Sequence, residues 1–384
     1  MLIKNARYYD GDFNISFADI RIEGDTITEI GKNLTGDKNI FDATGCTVIP
    51  GLIDVHIHGC HGADTGDASV SSLTHMSRFL ASRGITSFIP TAISDTAENQ
   101  QNMARALDKA SSMPLTGARI LGFRAEGSFL SPEKPGTHNV LYLRKPDIDE
   151  VLKLNEAAGG KLRIIDVAPE LDNDFAFTEE AVKRGFIISL GHSNADYDTA
   201  MEAYRHGMTD TTHLFNAMSP FLHRSPGVVG AAFDTPLSPF CEIIADGHHV
   251  HPAVVRTAVK IIGKDRLVLI SDGSPAVGMP DGNYKIGNVD IKVIEGVARC
   301  ESGALAGSTV TVADCLFRIT KMGIPFADAL RAATINPARL IGADQKIGSI
   351  EVGKKGDIIA LDSDNGVKRV IIGGKPFNRA LAPV

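Results

Sequence analysis

Cysteine is scarce and unpaired in this chain of 384 residues: Cys46, Cys60, Cys241, Cys300 and Cys315 include no Cys-x-x-Cys pair. An odd, scattered set argues against a disulfide framework and fits free thiols in a reducing compartment. Long basic runs are missing and the net charge is −7, which argues against a nucleic-acid-binding surface. Mild acidity does not exclude a small anionic substrate, because a pocket can be basic inside an acidic protein. No uninterrupted apolar run reaches membrane-spanning length. The opening MLIKNARYYD lacks the apolar stretch of a signal peptide, so a soluble, cytoplasmic protein without a membrane partner is expected. Neither a Gly-x-Gly-x-x-Gly after the first apolar run nor a P-loop occurs, which counts against an open nucleotide-binding sheet.

What the chain does contain is apolar sequence, 43% of its residues, enough for one large domain and a smaller one. Its two ends are alike. ADIRIEGDTITEIG (18–31) and IGSIEVGKKGDIIALDSDNGVKRVIIGGKPF (347–377) show short apolar–polar alternations punctuated by Gly, Asp and Asn. These read as small antiparallel strands with tight turns. One small β-sandwich domain built from residues 1–52 and 347–384 is expected. Residues 53–346 behave differently. Eight apolar runs recur: TVIPGLIDVHIH (47–58), GITSFIPTA (84–92), RILGFRAE (119–126), LRIIDVAPE (162–170), GFIISLGH (185–192), MTDTTH (208–213), FCEIIAD (240–246) and RLVLISD (266–272). Helix-like segments such as VSSLTHMSRFLASRG and IDEVLKLNEAAGG separate them. Continuous apolar runs mark strands buried on both faces, hence a parallel sheet. Eight of them predict an α/β fold, a (β/α)8 TIM-like barrel, with the sixth run counted mostly by position.

The runs end in chemistry. The first ends in Asp54, His56 and His58, the third in Glu126, the fifth in His192, the sixth in His213 and the eighth in Asp272. In such a barrel the C-terminal strand ends share one mouth, where active sites are built. His56 and His58 have the period of a strand, so both rings point one way, about 6–7 Å apart along the chain. A lone His-x-His is weak evidence, since surface pairs are common. Joined to later strand-end His, His, Glu and Asp, it predicts a metal centre. The bland alternatives are a core histidine for His192 or His213, an ion pair with Arg124 for Glu126, and a turn cap for Asp272. Nitrogen and oxygen donors suit one or two divalent ions, zinc or iron foremost. A bound ion lowers the pKa of water to about 7, and Asp272 beside it can serve as general base and acid. No lysine ends the third or fourth run, so a carboxylated-lysine bridge is not supported; Glu126 can bridge instead.

PGLIDVHIHG (50–59), RAEG (124–127), GTHN (136–139), LGHS (190–193), THLFNAMSPFLHRSPGVVG (212–230), IADGHHVHP (244–252), ISDG (270–273) and ALAGST (304–309) occur in order across nearly the whole chain. This set resembles the N-acetylglucosamine-6-phosphate deacetylases of the amidohydrolase superfamily. The resemblance implies a metal-dependent barrel, usually homodimeric or larger. Glu126, His192 and His213 match the principal metal ligands, and Asp272 the catalytic aspartate. Thr137, His138, Asn216, Ala217, Asp246, His249, Leu305, Ala306 and Gly307 fall in substrate-binding stretches. Arg224 and His249 match residues that bind phosphate, in part across the subunit interface, and arginine suits that task. His61, His75, His206, His248 and His251 are read as ordinary residues. Two departures stand out: Ser128 occupies a position where the family usually has proline, and Gly273-Ser274-Pro275 differs from the commonest form. The implied reaction is hydrolysis of N-acetyl-D-glucosamine 6-phosphate to glucosamine 6-phosphate and acetate. The alternatives are the galactosamine epimer, a cyclic-amide hydrolase, which Arg224 and the missing lysine disfavour, and a scaffold without activity, which the intact ligand set disfavours.

Overall fold

A computed structural model describes residues 1–36 and 38–383. Each of the eight apolar runs forms a parallel strand: β1 Leu52–Ile57, β2 Ile85–Ala92, β3 Phe123–Phe129, β4 Leu162–Val167, β5 Ile187–Leu190, β6 Asp210–Thr211, β7 Phe240–Ile244 and β8 Leu267–Ile270. The sixth is only two residues long, which is why its run is weak as a strand. Helices follow the strands: α1 Val70–Ser82, α2 Ala97–Ser111, α3 Ile148–Ala157, α4 Ala176–Lys183, α5 Tyr197–Arg205, α6 Gly227–Asp234, α7 Pro252–Ile262 and α8 Val312–Lys321. Side chains cap the starts of three of them, Ser69 for α1, Thr96 for α2 and His251 for α7. His251 thus has a structural role.

The barrel closes between β8 and β1. At the mouth the Asp272 N–H donates to the His56 carbonyl at 2.9 Å, and the His58 N–H to the Gly273 carbonyl at 2.9 Å. At the other end α9 (Phe326–Ala332) and α10 (Ile335–Leu340) close the seam. There the Ile53 N–H reaches the Ala333 carbonyl, and the Asn336 amide reaches the carbonyls of Lys264 and Leu267.

The barrel interior is layered. Ile53, Val55, Ile89, Ile164, Ile244, Val268 and Ile270 form an apolar floor with Ala338 and Leu340. Above it lies a charged layer, and above that the mouth. The register of β1 against β2 slips between Asp54 and Ile57. Such a bulge re-aims side chains, and here Val55 packs in the floor while its neighbour His56 also faces inward.

Both termini build a separate sheet domain. Strand Ile358–Leu361 pairs antiparallel with Thr47–Pro50, matching Ile359 to Ile49, and joins the C-terminal strands to Leu2–Tyr9, Ile15–Glu23 and Thr26–Gly31. Its own core gathers Ile3, Ile20, Ile22, Val48, Ile358 and Ile371. A further three-stranded antiparallel meander, Gly282–Ile286, Val289–Ile294 and Val297–Cys300, follows β8 and had no counterpart in the sequence reading. It packs through Ile286, Ile291 and Val293 on Ile93 and Ala306. None of the described helices is long and apolar enough to cross a membrane.

Candidate active site

The strand ends converge. Glu126 is the centre. Its Oε1 lies 3.2 Å from His213 Nε2 and 3.3 Å from His192 Nε2. Its Oε2 lies 2.9 Å from His58 Nε2 and 3.2 Å from His56 Nε2. Asp272 Oδ1 completes the second cluster, 3.3 Å from His58 and 3.5 Å from His56. Two donor groups result, His56, His58, Glu126 and Asp272 on one side and Glu126, His192 and His213 on the other. One carboxylate is therefore shared, with one oxygen turned to each group.

Other contacts fix the rings. His192 Nδ1 faces the Lys134 carbonyl at 2.9 Å, and His58 Nδ1 the Thr91 carbonyl at 3.1 Å. His56 Nδ1 faces Glu242 Oε2 at 3.2 Å. A carbonyl or carboxylate at Nδ1 accepts its proton and leaves the Nε2 lone pair for a ligand, the usual support of metal-bound histidine. His138 is set the other way. Its Nδ1 accepts the Ser94 N–H at 3.2 Å, so its Nε2 carries the proton and points to Glu126 Oε2 at 3.6 Å. It is a donor to the cavity and is not built as a ligand.

The electrostatics agree with a cation-seeking site. Burial pushes the Glu126 and Asp272 carboxyls up, but the surrounding imidazoles more than offset it and hold both well below the ordinary carboxylate range. Burial likewise opposes a charged His58, yet the Asp272 and Glu126 carboxylates prevail and raise it to about 9. Burial pushes His138 down to about 4, which keeps it neutral. Buried carboxylates amid imidazole nitrogens demand positive charge, and this oxygen-and-nitrogen donor set fits a divalent ion.

The backbone at three of these donors is strained: His192, His213 and Asp272 have φ of 46°, 27° and 45°. Left-handed backbone at non-glycine residues is uncommon and concentrates at functional sites. Gly127 sits at φ 112°, where a Cβ would lie 2.1 Å from the Ser94 backbone nitrogen. Ser128 does not break the strand; β3 runs on to Phe129, and the Ser128 hydroxyl donates to Gln100 at 2.8 Å. Gly273-Ser274-Pro275 is stitched to Gly59, Gly62 and Ser308 by backbone hydrogen bonds.

Above the clusters lies a cavity of about 220 Å³. Glu126, His58, His192, His213 and Asp272 form its floor. Thr137, His138, Asn216, Ala217, His249, Leu305 and Gly307 line its walls, with Ile286 of the meander. Thr137 Oγ1 donates to the Leu305 carbonyl at 2.8 Å, tying two lining segments together. His56 lies beneath the floor, fully buried. Asp246 stands behind His249 and accepts from its Nδ1 at 2.7 Å. Ala306 is buried in the meander's core. Arg224 is exposed and lines no part of the cavity in its own chain.

The sequence reading missed the charged layer under the site. Arg124 does not pair with Glu126. It is fully buried, bidentate on Asp166 at 2.9 and 2.7 Å, and bonded to Glu242. The available signal was a charged residue inside each apolar run, FRAE, IIDV and CEII. Asp54 does not join the clusters; its Oδ1 accepts from the N–H groups of His56 and Ser271, both at 3.3 Å.

The model of the amidohydrolase family matches residues 47–377. The N-acetylglucosamine-6-phosphate deacetylase of Bacillus subtilis is 36% identical over 336 residues, 85% of this chain and 83% of that protein. The N-acetylgalactosamine-6-phosphate deacetylase of Escherichia coli O157:H7 is 32% identical over 85% of this chain and 86% of its own length. The crystal structure of N-acetylglucosamine-6-phosphate deacetylase from Pasteurella multocida superposes with a TM-score of 0.90 at 30% identity, covering 98% of both chains. The superposition covers sheet domain and barrel together. The protein belongs to the metal-dependent amidohydrolase family, the family of the two N-acetylhexosamine-6-phosphate deacetylases it resembles.

Proposed function

We propose that this enzyme hydrolyses the acetamide of N-acetyl-D-glucosamine 6-phosphate to glucosamine 6-phosphate and acetate. The observation that carries the reading is the shared Glu126, one oxygen toward each histidine pair, with Asp272 beside it in the same cavity. Glu126, His192 and His213 would hold one divalent ion, and His56, His58, Glu126 and Asp272 a second of different affinity; zinc or iron suits these donors. Such an ion supplies hydroxide at neutral pH and polarises an amide carbonyl.

The chain's own groups do the rest. Asp272, kept anionic, takes the proton of the attacking water and returns it to the departing nitrogen, without which an amine leaves poorly. His138, neutral with its proton on Nε2, donates to the carbonyl oxygen as charge develops there. Leu305 and Gly307 with Thr137 close the wall over the sugar. The backbone of Asn216 and Ala217, His249 held by Asp246, and Arg224 receive the phosphate. The exposed position of Arg224 suits a residue lent to a neighbouring subunit, and a homodimer or larger homo-oligomer in the cytoplasm is proposed.

The galactosamine epimer is the second reading, favoured by the Escherichia coli relative. A cyclic-amide hydrolase is disfavoured because no lysine lines the cavity among the described residues. The test is acetate release from both N-acetylhexosamine 6-phosphates, after chelation and again after metal is restored. Release from the glucosamine epimer that depends on restored metal is the expected result; no release from either epimer ends the proposal.

A further inference from the structure

Beneath the mouth, Glu242 contacts members of both donor groups. Its Oε2 takes three donors, each at 3.2 Å: His56 Nδ1, the His213 backbone N–H and Arg124 Nη2. Its Oε1 is held by Arg124 Nη1. Arg124 is itself immobilised by the bidentate contact with Asp166 and by Thr212 Oγ1 at 3.2 Å. Arg124, Asp166 and Glu242 are all 0% exposed. Four donors on two oxygens leave this carboxylate no freedom to turn. A carboxylate that cannot turn imposes one tautomer on the ring it touches, with the proton on Nδ1.

The two donor groups depend on Glu242 unequally. For His56 the contact is through the ring and decides whether Nε2 offers a lone pair to the cluster of Glu126 Oε2 and Asp272. For His213 the contact is through the backbone only, so ring chemistry there is not imposed. His192 and His58 are oriented by backbone carbonyls and owe Glu242 nothing.

We infer that Glu242, clamped by Arg124, is the positioning residue of the second cation site: it builds the His56 side of that site and leaves the Glu126–His192–His213 site nearly independent. The inference rests on the two-site reading proposed above. Glu242→Gln is the informative change. Glutamine offers one acceptor to four donors, so either orientation sets its NH2 group against an N–H. If Arg124 Nη1 keeps the oxygen, the NH2 faces His56 Nδ1, and the ring must carry its proton on Nε2, aimed into the site.

The experiment titrates chelator-stripped, full-length protein with Zn²⁺ by calorimetry. Wild type is expected to take two ions. Glu242→Gln is expected to weaken one of them at least tenfold and to change the other less than threefold. His56→Ala should give the same selective loss, and adding Glu242→Gln to it should change nothing more. A stabilising carboxylate with a merely structural role would move both ions or neither, or would add to His56→Ala, and each of those results overturns the inference. So does a wild type that takes a single ion. If Glu242→Gln does not fold, Glu242→Asp decides by the same criteria, since it keeps the charge for Arg124 but withdraws from His56 by one methylene. Zinc binding is read without substrate, so an enzyme that released no acetate would end the functional proposal and leave this one standing or falling on its own.

Discussion

Replacing Asp272 by asparagine isolates the proton-transfer step. The backbone there is left-handed at φ 45°, a conformation that asparagine accepts as readily as aspartate, whereas alanine would add strain. The backbone bonds that fix the residue survive the change: its N–H on the His56 carbonyl at 2.9 Å and its carbonyl on the Ser308 N–H at 2.7 Å. The Glu126–His192–His213 group contains no Asp272 atom, so its ion should remain. What disappears is an anionic base. General acid–base catalysis contributes about 10²–10⁴-fold, which at 1.36 kcal/mol per decade is roughly 3–5 kcal/mol of barrier. kcat for acetate release at saturating substrate should fall by that factor, with at least one metal per chain by elemental analysis. A variant that keeps kcat within tenfold of wild type would refute the assignment of Asp272 as the proton carrier. Loss of all metal would instead make it chiefly a ligand.

Three other outcomes follow from particular contacts. Arg224→Ala should raise KM for the phosphorylated substrate at least tenfold with little change in kcat; an unchanged KM places the phosphate elsewhere. Gly127→Ala should lower the unfolding temperature or abolish folding, because its Cβ would meet the Ser94 backbone nitrogen at 2.1 Å and glycine's conformation is unavailable to alanine; wild-type stability by calorimetry contradicts the close approach. Burial raises Asp54 to about 6, against which the Ser271 and His56 hydrogen bonds act. The folded state therefore binds its proton more tightly than the unfolded chain, and stability falls as pH rises from about 4 to 6, by about 3 kcal/mol for a two-unit shift. Denaturant titrations should show this fall in wild type relative to Asp54→Asn, and parallel pH profiles for the two would disprove it.

The barrel was legible because strands buried on both faces leave unbroken apolar runs, and seven of the eight were strong. The mouth was legible because a histidine or carboxylate closing such a run has no reason to be there in a floor of isoleucine and valine. Residues Asp166 and Glu242 were equally visible inside their runs, but their partner Arg124 lies 42 and 118 positions away, and nothing local pairs them. The same non-locality hid the fate of Asp54. Strict alternation predicts it on the face of His56, and the slipped register of β1 breaks that parity. The meander's alternation, GNYKIGNVDIKVI, was a readable hairpin signal, overlooked beside the stronger runs. The proposed role of Arg224 involves a second chain, which one sequence does not contain.

The seam between the first and last barrel strands has a consequence for when the enzyme becomes competent. Asp272 meets His56 and His58 only where β8 closes on β1, and the far end of that seam is latched by Ala333 and Asn336. Just beyond, Ile358–Leu361 bonds to Thr47–Pro50, the segment that leads into β1. These pairings span nearly the whole chain, so they are costly to form early and belong late in folding. Turnover is therefore a reporter of ring closure: a partly opened form holds most of its helices and remains silent, with Asp272 parked away from His56 and His58.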